Sequence, residues 1–290
     1  MTELCQPCGS CSTSGKKAVV DRLTRDLDEL MERGAYQEAL PVAERLLDEV
    51  GDLHGRTGAD YASALNDVAS VERYLGRYGD AERRFLAAAR ILREERGAWD
   101  SEYATAVNNL AGLHRLTGEV ERAEREFAEA LGVYERVLEP DDWRSVSCLN
   151  NLGLLYQDTG RLDEAMACFV RALELLQGAE GGGDPSSIAT TLMNGAVCAG
   201  KMGDAEEARA LFGHAMGLIE RLHGRRSAAF SGALNNLAAF HVDQGEPERA
   251  LPLLEESRET ARMLFGADSS AYRLVCANIG RVRERAGEGG

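Results

Sequence analysis

Only six prolines, two tryptophans and a 6% aromatic content mark this chain of 290 residues. So little proline leaves long stretches free to run as uninterrupted helix, because proline inside a helix removes a hydrogen bond and clashes with the preceding turn. Positive charge is also scarce: 33 Lys and Arg stand against 48 Asp and Glu, a formal net charge of -15. That balance repels a phosphate backbone and an anionic bilayer, so neither nucleic acid nor membrane is the expected partner. No apolar run approaches the roughly 20 residues that span a bilayer. Met1-Thr2-Glu3-Leu4-Cys5 lacks the basic and apolar regions of a secretory leader, so a cytoplasmic location is expected, where thiols stay reduced.

Motifs of catalysis are missing as well. The chain has no Gly-x-Ser-x-Gly, no His-Glu-x-x-His and no cysteine and histidine paired at a useful spacing. Gly9 to Lys17 departs from a phosphate loop, because five residues separate Gly9 from Gly15-Lys16 and Lys17 replaces the required serine or threonine. The five histidines are isolated, and His114 and His241 fill a slot that Tyr156 fills elsewhere, which favours packing. We expect no enzyme.

What the chain has in abundance is repetition. Val107-Asn108-Asn109-Leu110-Ala111, with Gly118, Ala123 and Phe127, returns as Leu149-Asn150-Asn151-Leu152-Gly153 with Gly160, Ala165 and Phe169, and again as Leu234-Asn235-Asn236-Leu237-Ala238 with Gly245, Ala250 and Leu254. Ala39, Ala81, Ala123 and Ala165 are 42 residues apart, Ala208 follows after 43 and Ala250 after 42. Asn109, Asn151, Asn194, Asn236 and Asn278 keep the same spacings, with Asp67 in the earliest slot. The extra residue is placed in the Gly181-Gly182-Gly183-Asp184-Pro185 segment. Propeller blades of similar period need short alternating strands, whereas these runs are long, amphipathic and rich in alanine and leucine.

Leu149-x2-Leu152-Gly153-x2-Tyr156 followed by Ala165-x3-Phe169 has tetratricopeptide spacing, with leucine in place of tryptophan. Gly153 and its equivalents Ala69, Ala111, Ala196 and Ala238 allow a first helix (A) to lie close to a second (B), and stacked pairs complete one core. Helices B are expected near Ala81 to Glu95 and Ala123 to Leu138. Gly97, Gly178, Gly224 and Gly266 are read as left-handed caps, and Asp100, Asp184 and Ser269 as N-caps. The expected fold is all-α: a right-handed superhelical solenoid of about six helix-pair repeats plus a capping helix, spanning 18–287, with a cysteine-rich tail over 1–17 that shows no helical periodicity and a short tail over 288–290.

On these residues the chain resembles the 42-residue tetratricopeptide repeats of kinesin light chains and their bacterial relatives, over roughly 20–287. It departs from them where Pro140-Asp141-Asp142-Trp143 and Gly97-Ala98-Trp99-Asp100 replace the usual histidine-proline connector. The resemblance implies a concave groove lined by A helices, in which the second asparagine of each pair bonds the backbone of a partner peptide: Asn109, Asn151, Asn194, Asn236 and Asn278. Arg73 and Arg115, six residues beyond Asp67 and Asn109, match a groove-arginine position, and family members bind peptides with an aromatic residue among acidic ones. An amide has the donors and acceptor for main-chain contact, but the same asparagines can instead bond neighbouring helices and set superhelical pitch, and the arginines can be solvated helix charges. Outward A-helix positions carry one more basic than acidic residue, a groove less acidic than its surroundings. The lysine set that clamps a chaperone's C-terminal carboxylate is absent.

Cys5-x2-Cys8-x2-Cys11 is the one feature with the spacing of a metal site. Three thiolates can wrap zinc or three corners of an iron-sulfur cluster, and the run resembles the start of a bacterial ferredoxin motif whose fourth position is here Gly15. A tail with free thiols is the alternative. Cys148, Cys168, Cys198 and Cys276 are scattered and read as small buried residues. Two functional readings follow: an interaction scaffold holding a protein segment, or an iron-sulfur or zinc-binding redox or maturation accessory that docks a client enzyme. Acidic self-repulsion leans towards a monomer and leaves the oligomeric state open.

Overall fold

The computed structural model describes residues 9–139, 141–178, 183–285 and 287. Among them lie thirteen helices and no strand, in two compact units, residues 1–139 and 140–290. The first unit holds α1 (Gly9–Glu32), α2 (Tyr36–His54), α3 (Ala59–Tyr74), α4 (Tyr78–Arg96), α5 (Ser101–Thr117) and α6 (Val120–Val137). The second holds α7 (Trp143–Asp158), α8 (Leu162–Gly178), α9 (Pro185–Met202), α10 (Ala205–His223), α11 (Ala228–Asp243), α12 (Pro247–Phe265) and α13 (Ser270–Arg285). Odd-numbered helices are A helices and even-numbered ones are B helices. Within each unit every A helix packs on the B helix that follows it, and each B helix on the next A helix. This is the all-α solenoid arrangement of tetratricopeptide pairs, with α13 as the lone last helix.

The positions that set the period are the positions the core consumes. Ala39, Ala81, Ala123, Ala165, Ala208 and Ala250 are all 0% exposed. Phe85, Phe127, Phe169 and Phe212, four residues further along their B helices, are equally enclosed, each stabilising by about 1.5–3 kcal/mol through removal from water. The A-helix small residues work as expected. A Cβ on Gly153 would stand 2.5 Å from Cε1 of Phe169, so in this repeat α7 and α8 meet ring against backbone.

Turn chemistry agrees at the N-termini. Asp100 accepts from the backbone N–H of Glu102 and Tyr103, Asp184 from Ser187, and Ser269 from Tyr272. At the C-termini the reading needs correction. Gly97 has φ 90° and ψ 176°, an extended conformation open to glycine alone rather than a left-handed helical cap; the left-handed caps are Gly118 and Gly203, after A helices. Gly178 is simply the last residue of α8.

The N-terminal boundary also moves, because α1 begins at Gly9, well inside the segment expected to lack helix. Leu23 and Leu27 anchor α1 against α2. Once such a turn exists, propagation adds a hydrogen bond per residue and needs no apolar periodicity. Of the segment from Gly181 to Pro185, where the extra residue of the fourth repeat is expected, residues 181 and 182 lie outside the described residues.

Candidate functional site

The repeated asparagines occupy the middle of the A helices, and the structure divides them by what their amides do. In the first unit, Nδ2 of Asn109 on α5 donates to Oδ1 of Asn66 on α3 at 3.1 Å. In the second, Asn194 on α9 donates to Asn150 on α7 at 3.0 Å, and Asn278 on α13 to Asn235 on α11 at 3.3 Å. Three of the five therefore bond a neighbouring A helix, each reaching the first asparagine of the preceding pair. Asn151 is half-buried and Asn236 exposed, and neither makes a side-chain hydrogen bond among the described residues.

Asn66, Asn150 and Asn235, to which the sequence reading gives no role, are the anchors, whereas the buried Oδ1 of Asn108 has no hydrogen-bond partner among the described residues. Asn150, 8% exposed, donates to the carbonyl of Val146 at 3.1 Å and the hydroxyl of Thr191 at 2.8 Å while accepting from Asn194. Asn235 donates to the carbonyl of Ser231 and the hydroxyl of Ser257. A buried amide must be paired or it costs stability, so these residues fix the rotamer of the next repeat's asparagine. The sequence signal was present in the doubling of the asparagine. Met193 and Ala277 fill the first slot in the two repeats that lack it.

The two expected arginines differ in setting. Arg73 is half-buried at the end of α3, its guanidinium 5.0 Å above the ring of Tyr74, which stacks on Tyr36 at 4.3 Å. Its Nη1 lies 3.0 Å from where a Cβ of Gly112 on α5 would be, so that glycine leaves it room. Arg115 is half-buried in the last turn of α5.

Each unit has a cleft on this helix-A face. In the second unit a cavity of about 240 Å³ opens between α11, α12 and α13. Ala238, Val242, Leu254 and Val282 supply apolar walls, and Asn278, Arg281, Arg285 and Asp243 also line it. Arg281 donates to Oδ1 of Asn278, which holds the amide between two neighbours. The volume is below the roughly 300–1,000 Å³ of a small-molecule site and suits a side chain. In the first unit a second cavity, of about 180 Å³, lies between α3, α4 and α5 and includes Asp67.

Asp67 takes the slot that asparagine fills in later repeats. Its carboxyl is pushed up to about 6, first by burial and then by the like charge of Asp28. The histidines of the shared slot are packed with ring nitrogens against carboxylates. His114, 1% exposed, places Nδ1 2.5 Å from Oε2 of Glu126 and Nε2 3.3 Å from Oε1 of Glu82, with Arg122 reaching both carboxylates. His241 sits 2.8 Å from Glu246, whose carboxyl is held down chiefly by that hydrogen bond.

Cys5 and Cys8 lie outside the described residues, as does the side chain of Cys11. Among the described residues no group of three or more His, Cys, Asp or Glu is arranged to hold a metal ion, and no helix is long and apolar enough to cross a membrane. Cys148 and Cys198 are fully buried, while Cys168 and Cys276 are half-buried.

Tetratricopeptide repeat models match residues 102–178, 188–229 and 231–271, and a model of anaphase-promoting complex subunit 5 matches 18–99. No curated protein matches the chain. Among solved structures, BtubC (BKLC) from P. vanneervenii is 23% identical, with TM-score 0.59 over 73% of this chain and 91% of its own. A kinesin light chain with nearly identical TPR-like repeats from Podosopora anserina is 15% identical, with TM-score 0.57 over 69% and 94%. The apo quorum sensor NprR from B. thuringiensis is 14% identical, with TM-score 0.63 over 91% of this chain and 69% of its own. These likenesses are of fold, and the repeat models cover more than half of the sequence: the chain belongs to the tetratricopeptide repeat family and has the fold of its kinesin light chain-like members.

Proposed function

We propose that this protein is a non-enzymatic scaffold that holds a segment of a partner protein along the face formed by its A helices. Tetratricopeptide arrays serve as protein-interaction scaffolds, and extended binding surfaces are what such repeats build. The observation that carries the reading is the state of the asparagine amides in the second unit. Asn194 and Asn278 are held by a neighbour through one N–H and keep another, while Asn151 and Asn236 are half-buried or exposed with no side-chain hydrogen bond among the described residues. Amides one repeat apart offer donors and acceptors to a main chain, and the two that a neighbour holds, Asn194 and Asn278, lose little side-chain freedom on binding. The cleft beside Asn278 adds room for one apolar side chain, with Arg281 and Arg285 suited to a neighbouring carboxylate.

The experiment uses Asn151→Ala with Asn236→Ala. Neither amide makes a hydrogen bond among the described residues, so the variant keeps its thermal melt. Affinity capture from the cells that express the protein, quantified by mass spectrometry, is expected to lose its specific partner. Full capture by the variant would contradict the reading.

A further inference from the structure

We propose that the cavity between α3, α4 and α5 is a lysine pocket, in which the carboxylate of Asp67 and the hydroxyls of Ser63 and Thr105 receive the side-chain ammonium of a bound partner segment. The inference rests on the scaffold reading and names one element of the partner.

Asp67 lines the cavity with its carboxyl deep among neighbouring atoms, although the residue as a whole keeps partial exposure. No hydrogen bond or ion pair reaches that carboxylate among the described residues. The charge that acts on it is another carboxylate, Asp28 on α1. A largely enclosed carboxylate without a counter-charge is costly, and the later copies of the repeat, from Asn109 to Asn278, have the neutral amide here, while Arg25 fills the slot in the first. Glu102, also on the wall, is already met by Arg96 at 3.1 Å. The unbalanced charge is therefore Asp67 alone.

The remaining walls define the shape of the cation. The hydroxyl of Thr105 donates to Ser101 at 2.9 Å and accepts from Tyr134 at 3.0 Å, leaving one lone pair. Ser63 is exposed and makes no side-chain hydrogen bond among the described residues. Three acceptors match the three N–H of an ammonium, whereas a planar guanidinium wants two parallel oxygens. Leu92 and Ala106 offer apolar surface to the methylene stem. At about 180 Å³ the space takes the end of one such chain, and no group of ligands able to hold a metal ion occurs among the described residues. The net charge of -15 draws a basic segment towards the protein.

The test is carbon-detected NMR of the full chain labelled at aspartate, with the Asp67 carboxyl assigned by its loss in Asp67→Asn. The probes are the peptide acetyl-Gly-Gly-Lys-Gly-Gly-amide, the same peptide with Nε-acetyl-lysine, and potassium chloride at equal ionic strength. At saturation the lysine peptide is expected to lower the Asp67 titration midpoint by about one to three pH units, the effect of a cation at hydrogen-bond range on a carboxylate. The acetylated peptide and the salt leave the midpoint in place. A lysine peptide that moves nothing, or a shift that the acetylated peptide or the salt reproduces, overturns the pocket. These outcomes separate from those of the scaffold test. Full capture by the Asn151 and Asn236 variant with a lysine-specific shift at Asp67 removes the groove and keeps the pocket; lost capture with no shift does the reverse.

Discussion

Nδ1 of His114 and Oε2 of Glu126 lie 2.5 Å apart across α5 and α6, and the same interval of twelve residues joins Glu72 to its ion-pair partner Arg84 one repeat earlier. The position is thus a coupling point between the two helices of a pair, filled by a buried glutamate and arginine in one repeat and a buried histidine and glutamate in the next. Because Nε2 of His114 also faces Glu82 on α4, the ring ties three helices together. His114→Phe preserves much of the volume but removes the two ring nitrogens that face Glu126 and Glu82. A loss of about 1–3 kcal/mol is expected, read as a lowered midpoint in urea. Glu126→Gln keeps an acceptor for the ring and is expected to lose less. Equal stability of His114→Phe and the parent would refute the coupling.

Gly153→Ala is expected to destabilise by about 1–3 kcal/mol, the usual consequence of forcing a methyl into a packed core. The added carbon would stand 2.5 Å from Cε1 and 2.8 Å from Cζ of Phe169. Phe169→Leu in the same chain should recover part of the loss, and a double-mutant cycle measures that coupling. Additive effects would show that the ring is not what excludes the methyl.

Asp67 gives a pH dependence of definite sign. Its folded carboxyl titrates at about 6, above the roughly 3.9 of an unfolded aspartate. Between those values the folded state binds more protons than the unfolded one, so this group's contribution to stability falls as pH rises through that window. Asp67→Asn removes the penalty. The variant is expected to match the parent near pH 4, gain on it through pH 6, and hold an advantage of about 2–3 kcal/mol above that. Urea midpoints at three pH values decide it; a pH-independent difference would contradict the assignment.

The two asparagines of one pair should separate cleanly. Asn150→Ala takes a donor from the buried hydroxyl of Thr191, which keeps its bond to the Ser187 carbonyl, and the acceptor from the amide of Asn194, for an expected loss of about 1–3 kcal/mol. Asn151→Ala breaks no hydrogen bond among the described residues and should stay within about 0.5 kcal/mol of the parent. Thermal unfolding of the two single variants checks both.

Much of the fold was legible because its cause is local. Alanine at a fixed interval is a statement about how closely two helices approach, and Ala81, Ala123 and Ala208 are buried for that reason. N-caps were readable too, since Asp100 and Ser269 act on backbone within three residues of themselves. The site was less legible. Whether Asn109 faces a partner or Asn66 depends on a residue 43 positions away, and no pattern within one repeat contains that choice. The raised carboxyl of Asp67 arises from burial among separate helices and from the charge of Asp28, so its sequence neighbours gave no sign of it. Start and end of α1 differ in the same way: Leu23 and Leu27 mark a core helix, but how far it propagates towards Gly9 is set by cooperativity rather than by pattern.

The most direct measurement of the scaffold reading is site-specific photo-crosslinking in the cells that express the protein. A photoreactive side chain is placed at Asn236, exposed on the A helix α11, and in a second variant at Glu259, exposed on the B helix α12. The account predicts a partner adduct from position 236 and none from position 259. An adduct from position 259 alone would move binding to the B-helix face and contradict it.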